Sequence, residues 1–157
     1  MTTPPTPRRS RPQIEKSYGI PEEEEGMLPW EFVDTQMAAA RNYWLATVRP
    51  DGRPHAMPVW GIWLDGAFYC SGGPTTRWNR NLAVNPNLVV HLESGDNVVI
   101  LDGQAERVTD PALVARIDAA YLAKYDTPHG EPMWVLRPRV AFAWTDYPTT
   151  VTRFQFD

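Results

Sequence analysis

Residues 42–71 read NYWLATVRPDGRPHAMPVWGIWLDGAFYCS. Three runs rich in β-branched and aromatic residues are separated by two Asp-Gly pairs, Asp51-Gly52 and Asp65-Gly66. Tight hairpin turns need positive φ, which Asp and Gly tolerate, so each pair marks a reversal between neighbouring strands. Three antiparallel strands in succession are predicted. Pro58 interrupts the middle run, and proline cannot donate to a strand ladder, so this strand is expected at an edge or irregular there. Backbone groups left free beside Pro58 make Met57, Pro58, Val59 and Trp60 a candidate wall for a flat, hydrogen-bonding molecule.

Working outward, the same alternation continues downstream. NLVVHLES and NVVILDGQAERV flank Gly95-Asp96 and predict a further hairpin, with a bulge at Gly103. DPALVARIDAAYLAKY is helical in pattern, with Asp110 as N-cap and Pro111 in the first turn. MWVLRPRVAFAWTDYPTTVTRFQF reads as two strands around Tyr147-Pro148. Upstream, PWEFVDTQMAAAR spaces its apolar residues as a short helix. Many strands joined by hairpins with few helices predict a mainly β chain, an antiparallel barrel with inserted helices.

Composition bounds the rest. At 157 residues the chain suits one domain. Residues 1–28 form a separate arm, since six of the sixteen prolines fall between Pro4 and Pro29 beside Arg8, Arg9, Arg11 and the run Glu22 to Glu25. Such a segment buries too little apolar surface to fold alone and is expected to be extended or flexible. The barrel domain then covers 29–157. A net charge of −4 offers no general attraction for nucleic acid or anionic lipid. No apolar run reaches the ~20 residues of a membrane helix, nor is there a signal-peptide core. A cytoplasmic location is expected. One cysteine, Cys70, excludes an internal disulfide, and His55, His91 and His129 lack metal-ligand spacing, so no metal is expected.

Residues 71–82, SGGPTTRWNRNL, carry the chemistry. A helix that begins after Ser71-Gly72-Gly73-Pro74 presents free N–H groups and a positive dipole end, which favour an anion. Gly72 permits close backbone approach. Thr76 adds a hydroxyl, and Arg77, Arg80 and Asn81 share one helix face. Trp78 and Leu82 form the stripe that docks the helix. A phosphate or similar oxyanion suits this set, whereas two arginines on a short helix alone are ordinarily surface groups.

The series ATVRPDGRPHAMPVWGIW, FYCSGGPTTRWNRNLAVNPNLVVHLE and LDGQAERVTD resembles the flavin and deazaflavin split-barrel proteins, the pyridoxamine 5'-phosphate oxidase-like superfamily. It is most similar to the actinobacterial branch that uses coenzyme F-420, over about Arg41 to Phe156. The resemblance implies a homodimer of six- to seven-stranded split β-barrels with the cofactor between them. It places the cofactor phosphate at Ser71, Thr76, Arg77 and Arg80 with Asn81 nearby, and the ring along Met57 to Trp60. Trp78 departs from the family pattern, where a basic residue commonly follows the arginine; it either stacks on the cofactor or packs in the core.

The implied function is a deazaflavin-dependent oxidoreductase that transfers hydride between coenzyme F-420 and a conjugated or aromatic small molecule. An FMN-binding oxidoreductase is the first alternative, and a non-catalytic flavin or tetrapyrrole carrier the second. His55 is the one weak catalytic candidate, since a lone strand histidine is more often simply hydrogen-bonded. Trp60, Trp63, Trp134 and Trp144 suffice to line a flat apolar pocket, and Tyr69 or Tyr125 offers a proton donor. The basic arm, Arg8 to Arg11, offers a path for an anionic cofactor tail. Arg153 either reaches a partner's cofactor or closes the barrel. No nucleophile elbow, P-loop or carboxylate pair is present, which suits chemistry carried by a cofactor.

Overall fold

Both Asp-Gly pairs turn the chain as their chemistry dictates. The computed structural model describes residues 4–157; of the arm, residues 1–3 lie outside the described part. Strand β2 (Tyr43–Val48) runs back along β3 (Pro54–Val59) through a turn with Gly52 at φ +87°. Strand β4 (Ile62–Leu64) meets β5 (Ala67–Ser71) through Asp65 and Gly66, both at positive φ, as a type I′ turn requires.

Helix α1 (Trp30–Ala39) precedes this meander, and α2 (Arg77–Val84) follows it. Strands β6 (Asn87–His91) and β7 (Val98–Arg107) form the next hairpin, then α3 (Pro111–Tyr125) crosses to β8 (Met133–Leu136), β9 (Val140–Trp144) and β10 (Thr152–Gln155). The Asp110 carboxylate caps α3 by accepting from the Ala112 amide at 3.1 Å.

All strand pairs are antiparallel, and they lie in the order β1-β10-β9-β7-β6-β2-β3, with β1 at Arg8–Ser10. A branch β4-β5-β8 joins at β7. Strand β7 is the seam: Val98 to Asp102 pair with β9, while Ala105 to Arg107 pair with β8. Gly103 sits at this division. A Cβ there would lie 2.8 Å from Leu136 Cδ1 and 3.1 Å from the Arg137 carbonyl. The β6 ladder runs unbroken past Gly103, so the residue permits the crossing of residues 136–139 and forms no bulge. The barrel is split by a strand that changes partners.

The described residues contain ten strands, not six or seven. The last segment folds as three strands, because cross-strand pairing separates β8 from β9, and the arm contributes β1. The arm is therefore no solvated tail over Arg8–Ser10. Arg11 holds it further by donating to the carbonyls of Glu23, Glu25, Thr149 and Val151 at 2.6–2.9 Å.

Two apolar clusters carry the packing. The barrel interior holds Leu45, Phe68, Cys70, Leu82, Val90, Leu101, Leu136 and Phe154. The second cluster seats α3 on the branch through Ile117, Tyr121 and Tyr125 against Ile62, Tyr69 and Val135. No described helix is long and apolar enough to cross a membrane.

Candidate functional site

The loop of residues 71–76 brings β5 into α2. Thr76 stands at the N-cap in extended conformation, but its hydroxyl donates back to the Gly73 carbonyl at 2.8 Å and does not cap the helix. The first helical hydrogen bond is Arg80 N–H to Thr76 O. The first-turn amides of Arg77, Trp78 and Asn79 thus have no intrahelical acceptor, which is the electrostatic condition for holding an anion. Arg77 is half-buried beside them, while Arg80 is exposed. With Arg107, Arg80 lines a separate shallow groove of about 560 Å³ that also includes Asn79 and Glu131.

Beneath the loop, Trp78 is core. Its ring lies under Gly72, where a Cβ would come within 2.8 Å of Cζ2. The bareness of Gly72 is therefore used by the tryptophan, not by a ligand, and Trp78 replaces a basic contact with apolar packing. Neighbouring Asn79 is also buried, donating to the Gly72 carbonyl at 3.2 Å and accepting from Trp134 Nε1 at 3.0 Å. These bonds fix the loop onto the helix. Ser71 is closed as well: its hydroxyl donates to the Gly130 carbonyl at 2.7 Å.

Asn81 is fully buried and does not sit in the exposed cradle with the arginines. Its Nδ2 donates to Thr47 Oγ1 on β2 at 3.0 Å, and its Oδ1 has no partner. Thr47 lies opposite His55 in the β2–β3 register, so the two share the inward face. His55 Nδ1 is buried without a partner, and so is the Nε of Arg49, two residues along from Thr47. Three orphaned polar atoms thus occur among the residues where α2 meets the β2–β3 edge. Buried polar groups are overwhelmingly paired, so atoms without a protein partner are candidates for contact with a ligand or water. Sequence reading missed Arg49 and Thr47, although their period-two spacing places both on the face of Leu45.

Strand β3 is an edge. It pairs only with β2 among the described residues, leaving the backbone groups of its other side open, with Pro54 and Pro58 lacking N–H. Met57 and Val59 point inward with His55, whereas Pro58 points to the opposite face beside Trp44. Trp60 stands beyond the strand, stacked on Tyr125 at 4.7 Å and 8°.

The four tryptophans expected to share a pocket do not converge. Trp63 donates to Asp34 Oδ1 at 2.9 Å, Trp134 is buried on Asn79, Trp144 packs against Tyr147, and Trp60 rests on α3. Each ring satisfies a different element junction, because bulky aromatics in a split barrel fill separate corners. The arm arginines are likewise occupied by backbone carbonyls and Gln155, which leaves Arg11 no role in a tail path. Arg153 lies on the outer sheet face opposite Phe142.

Burial sets the protonation of the surrounding groups. It pushes the Cys70 thiol up to about 12 and holds the Tyr121 and Tyr125 phenols above the ordinary range. The Tyr125 hydroxyl shares its one proton between the carbonyls of Arg41 at 2.8 Å and Gly61 at 2.9 Å, and that of Tyr121 donates to the Trp60 carbonyl at 3.0 Å. Both tyrosines brace the β3–β4 corner and hold their protons there.

Comparison with known proteins agrees with this architecture. Curated protein sequences yield no match. Among solved structures, the chain is similar to the conserved hypothetical protein Rv2991 from Mycobacterium tuberculosis (TM-score 0.67, 21% identity, 78% of this chain and 88% of that one). It is also similar to a protein described as an F420 reductase (TM-score 0.56, 23% identity, 69% and 94%). A heme binding protein from Mycobacterium smegmatis aligns at TM-score 0.66 and 25% identity over 82% of this chain and 59% of its own. The family model described as pyridoxamine 5'-phosphate oxidase matches residues 30–145. That span runs from the start of α1 to just past β9, the seam strand and α2 included, and the chain belongs to the pyridoxamine 5'-phosphate oxidase family.

Proposed function

We propose that the chain is an oxidoreductase that uses the deazaflavin coenzyme F-420 and acts on a conjugated or aromatic small molecule. The observation that carries the reading is the open first turn of α2 with Arg77 beside it, while on the barrel side Arg49 Nε, His55 Nδ1 and Asn81 Oδ1 are buried without a protein partner. The free amides and Arg77 suit an anionic group, and the Arg49 Nε donor, the Asn81 Oδ1 acceptor and His55 suit a polar ring edge. Arg77 and the amides of residues 77–79 would hold the anion, with Thr76 at its rim. The open edge of β3 from His55 to Val59 would meet the ring, and Trp78 and Leu82 keep the underside dry.

When bound, the cofactor supplies hydride transfer at a ring carbon. The chain's own part is to orient the cofactor, shield it from water and supply hydrogen bonds from His55 and Arg49. The family includes oxidoreductases, and one similar structure is described as an F420 reductase, which supports the deazaflavin over FMN.

The homodimer belongs to this reading. On the outer sheet face, Pro58, Trp44, His91, Ile100 and Phe142 line up as successive register partners. Trp44 and His91 stack there at 6.2 Å and 2°. Such an apolar row suits a second copy of the chain. Light scattering at micromolar concentration tests it; a persistent monomer would remove the dimer from the reading.

A second reading, a tetrapyrrole carrier, is favoured by the heme binding protein among the similar structures. Parallel titrations of the purified chain with coenzyme F-420, FMN and hemin distinguish the three. The deazaflavin is expected to bind tightest, and Arg77→Ala to weaken it by about 1.5–3 kcal/mol, the range for a charge-assisted hydrogen bond. Preference for hemin, or an Arg77→Ala variant with unchanged affinity, would overturn the proposal.

A further inference from the structure

The chain has thirteen arginines but two lysines, Lys16 and Lys124. Lys16 is exposed in the arm, whereas Lys124 is half-buried in the last turn of α3, below the β3–β4 corner and apart from the orphaned polar trio. Its Nζ donates to Tyr43 Oη at 2.8 Å and, over a longer 3.5 Å, to the Gly61 carbonyl. It rests over the rings of Tyr43 and Tyr125 at 4.9 and 5.2 Å. Arg41 lies across the same tyrosine, its Cζ 5.5 Å from the Tyr125 ring and 5.4 Å from Trp60. Among the described residues no carboxylate lies within 4.0 Å of the charged nitrogens of Lys124 or Arg41.

The hydrogen bonds fix the amine in place. Tyr43 donates its own proton to the Met37 carbonyl at 2.6 Å, so its oxygen only accepts from Nζ. The Gly61 carbonyl also only accepts. The short bond to Tyr43 and the longer approach to Gly61 hold Nζ against the corner while its outer side stays open to solvent. The Arg41 guanidinium beside the amine, with no carboxylate near either group among the described residues, makes the corner attractive to an anion.

We propose that Lys124 is a nucleophilic amine that captures aldehydes bearing a negative charge, with Arg41 as the contact for that charge. Burial, then the Arg41 charge, lowers the Lys124 ammonium to a pKa of about 8. Near neutral pH about one molecule in ten then carries the free amine, against fewer than about one in a thousand for an ordinary exposed lysine. The groups facing Nζ are Tyr43 from β2, Tyr125 from α3, the Gly61 carbonyl from the corner and the Arg41 guanidinium before β2.

In the reaction the nitrogen lone pair attacks the carbonyl carbon and a C–N bond forms, while the C=O π electrons move to oxygen, which takes up a proton. Loss of the amine's two protons and the oxygen as one water gives the imine. Amine plus aldehyde yields imine plus water, with no change of oxidation state.

The test incubates the full chain near neutral pH with 4-formylbenzoate or benzaldehyde and cyanoborohydride, and follows adducts at Lys124 and Lys16 by peptide mass spectrometry. Lys124 is expected to label at least about tenfold faster than Lys16 with 4-formylbenzoate, an advantage abolished in denaturant. Equal rates in the folded chain would overturn the proposal. Arg41→Gln is expected to lower the preference for 4-formylbenzoate over benzaldehyde at Lys124; an unchanged preference would overturn the role of Arg41.

Discussion

Thr47→Val tests whether the polar contact beneath α2 is as isolated as it looks. Thr47 and Asn81 are 2% and 0% exposed, and their single hydrogen bond of 3.0 Å is the only one Asn81's side chain makes. Valine keeps the shape of threonine but leaves the buried amide with no partner. The expected cost is about 1–3 kcal/mol for the stranded amide, less about 0.8 for the added apolar group, or about 0.2–2 kcal/mol net. In an Asn81→Ala background the sign reverses. There the threonine hydroxyl is the stranded group, and valine is expected to stabilise by about 1 kcal/mol. The double-mutant cycle therefore carries a coupling of about 1–3 kcal/mol. Urea denaturation of the four proteins measures it, with equal m-values as the check on two-state behaviour. A coupling below about 0.5 kcal/mol would refute the reasoning, because Asn81 would then have another way to satisfy its amide. If a ligand completes the site, it raises wild-type stability by more than that of the Asn81→Ala variant.

Three other outcomes follow from the packing. Gly72→Ala drives a methyl against Trp78 and is expected to cost about 1–3 kcal/mol by chemical denaturation, relieved in a Trp78→Phe background; additivity of the two would refute the contact. Cys70 has a folded pKa raised to about 12, so its contribution is complete below the thiol's unfolded pKa and is lost as pH rises from there toward 12. The stability of wild type relative to Cys70→Ala should fall by up to about 1.4 kcal/mol per pH unit in that window, and a constant difference would contradict it. Arg11→Ala removes four hydrogen bonds from the arm, and amide exchange across residues 5–28 is expected to accelerate by tenfold or more, on the order of 1.4 kcal/mol of local stability, while the barrel stays protected. Unchanged arm exchange would mean β1 alone holds the arm.

Local chemistry was legible wherever one residue type answers one geometric demand. Asp65-Gly66 announces its turn because both positions need positive φ, Asp110-Pro111 announces α3, and Trp78 with Leu82 announces the buried stripe of α2. The free helix start with Arg77 was likewise readable from Gly-Gly-Pro-Thr-Thr. The use of Gly72 was not, because a glycine that admits a ligand and one that admits a tryptophan look alike in sequence.

What the sequence by itself determined is the antiparallel hairpins of residues 43–107, the approximate helix spans and an arginine at the mouth of α2, all consequences of contacts within a few residues. Only the tertiary structure decided which polar side chains end up buried without partners. Arg49 follows β2, His55 lies on β3 and Asn81 on α2; the seating of α2 brings Asn81 to Thr47, which strand register sets opposite His55. Tertiary structure also turned the arm into an edge strand and dispersed the tryptophans. Lys124 and Arg41, 83 positions apart, become neighbours across Tyr125 because α3 folds back beneath the β3–β4 corner. Long-range packing sets these juxtapositions, and no local pattern of side chains encodes them.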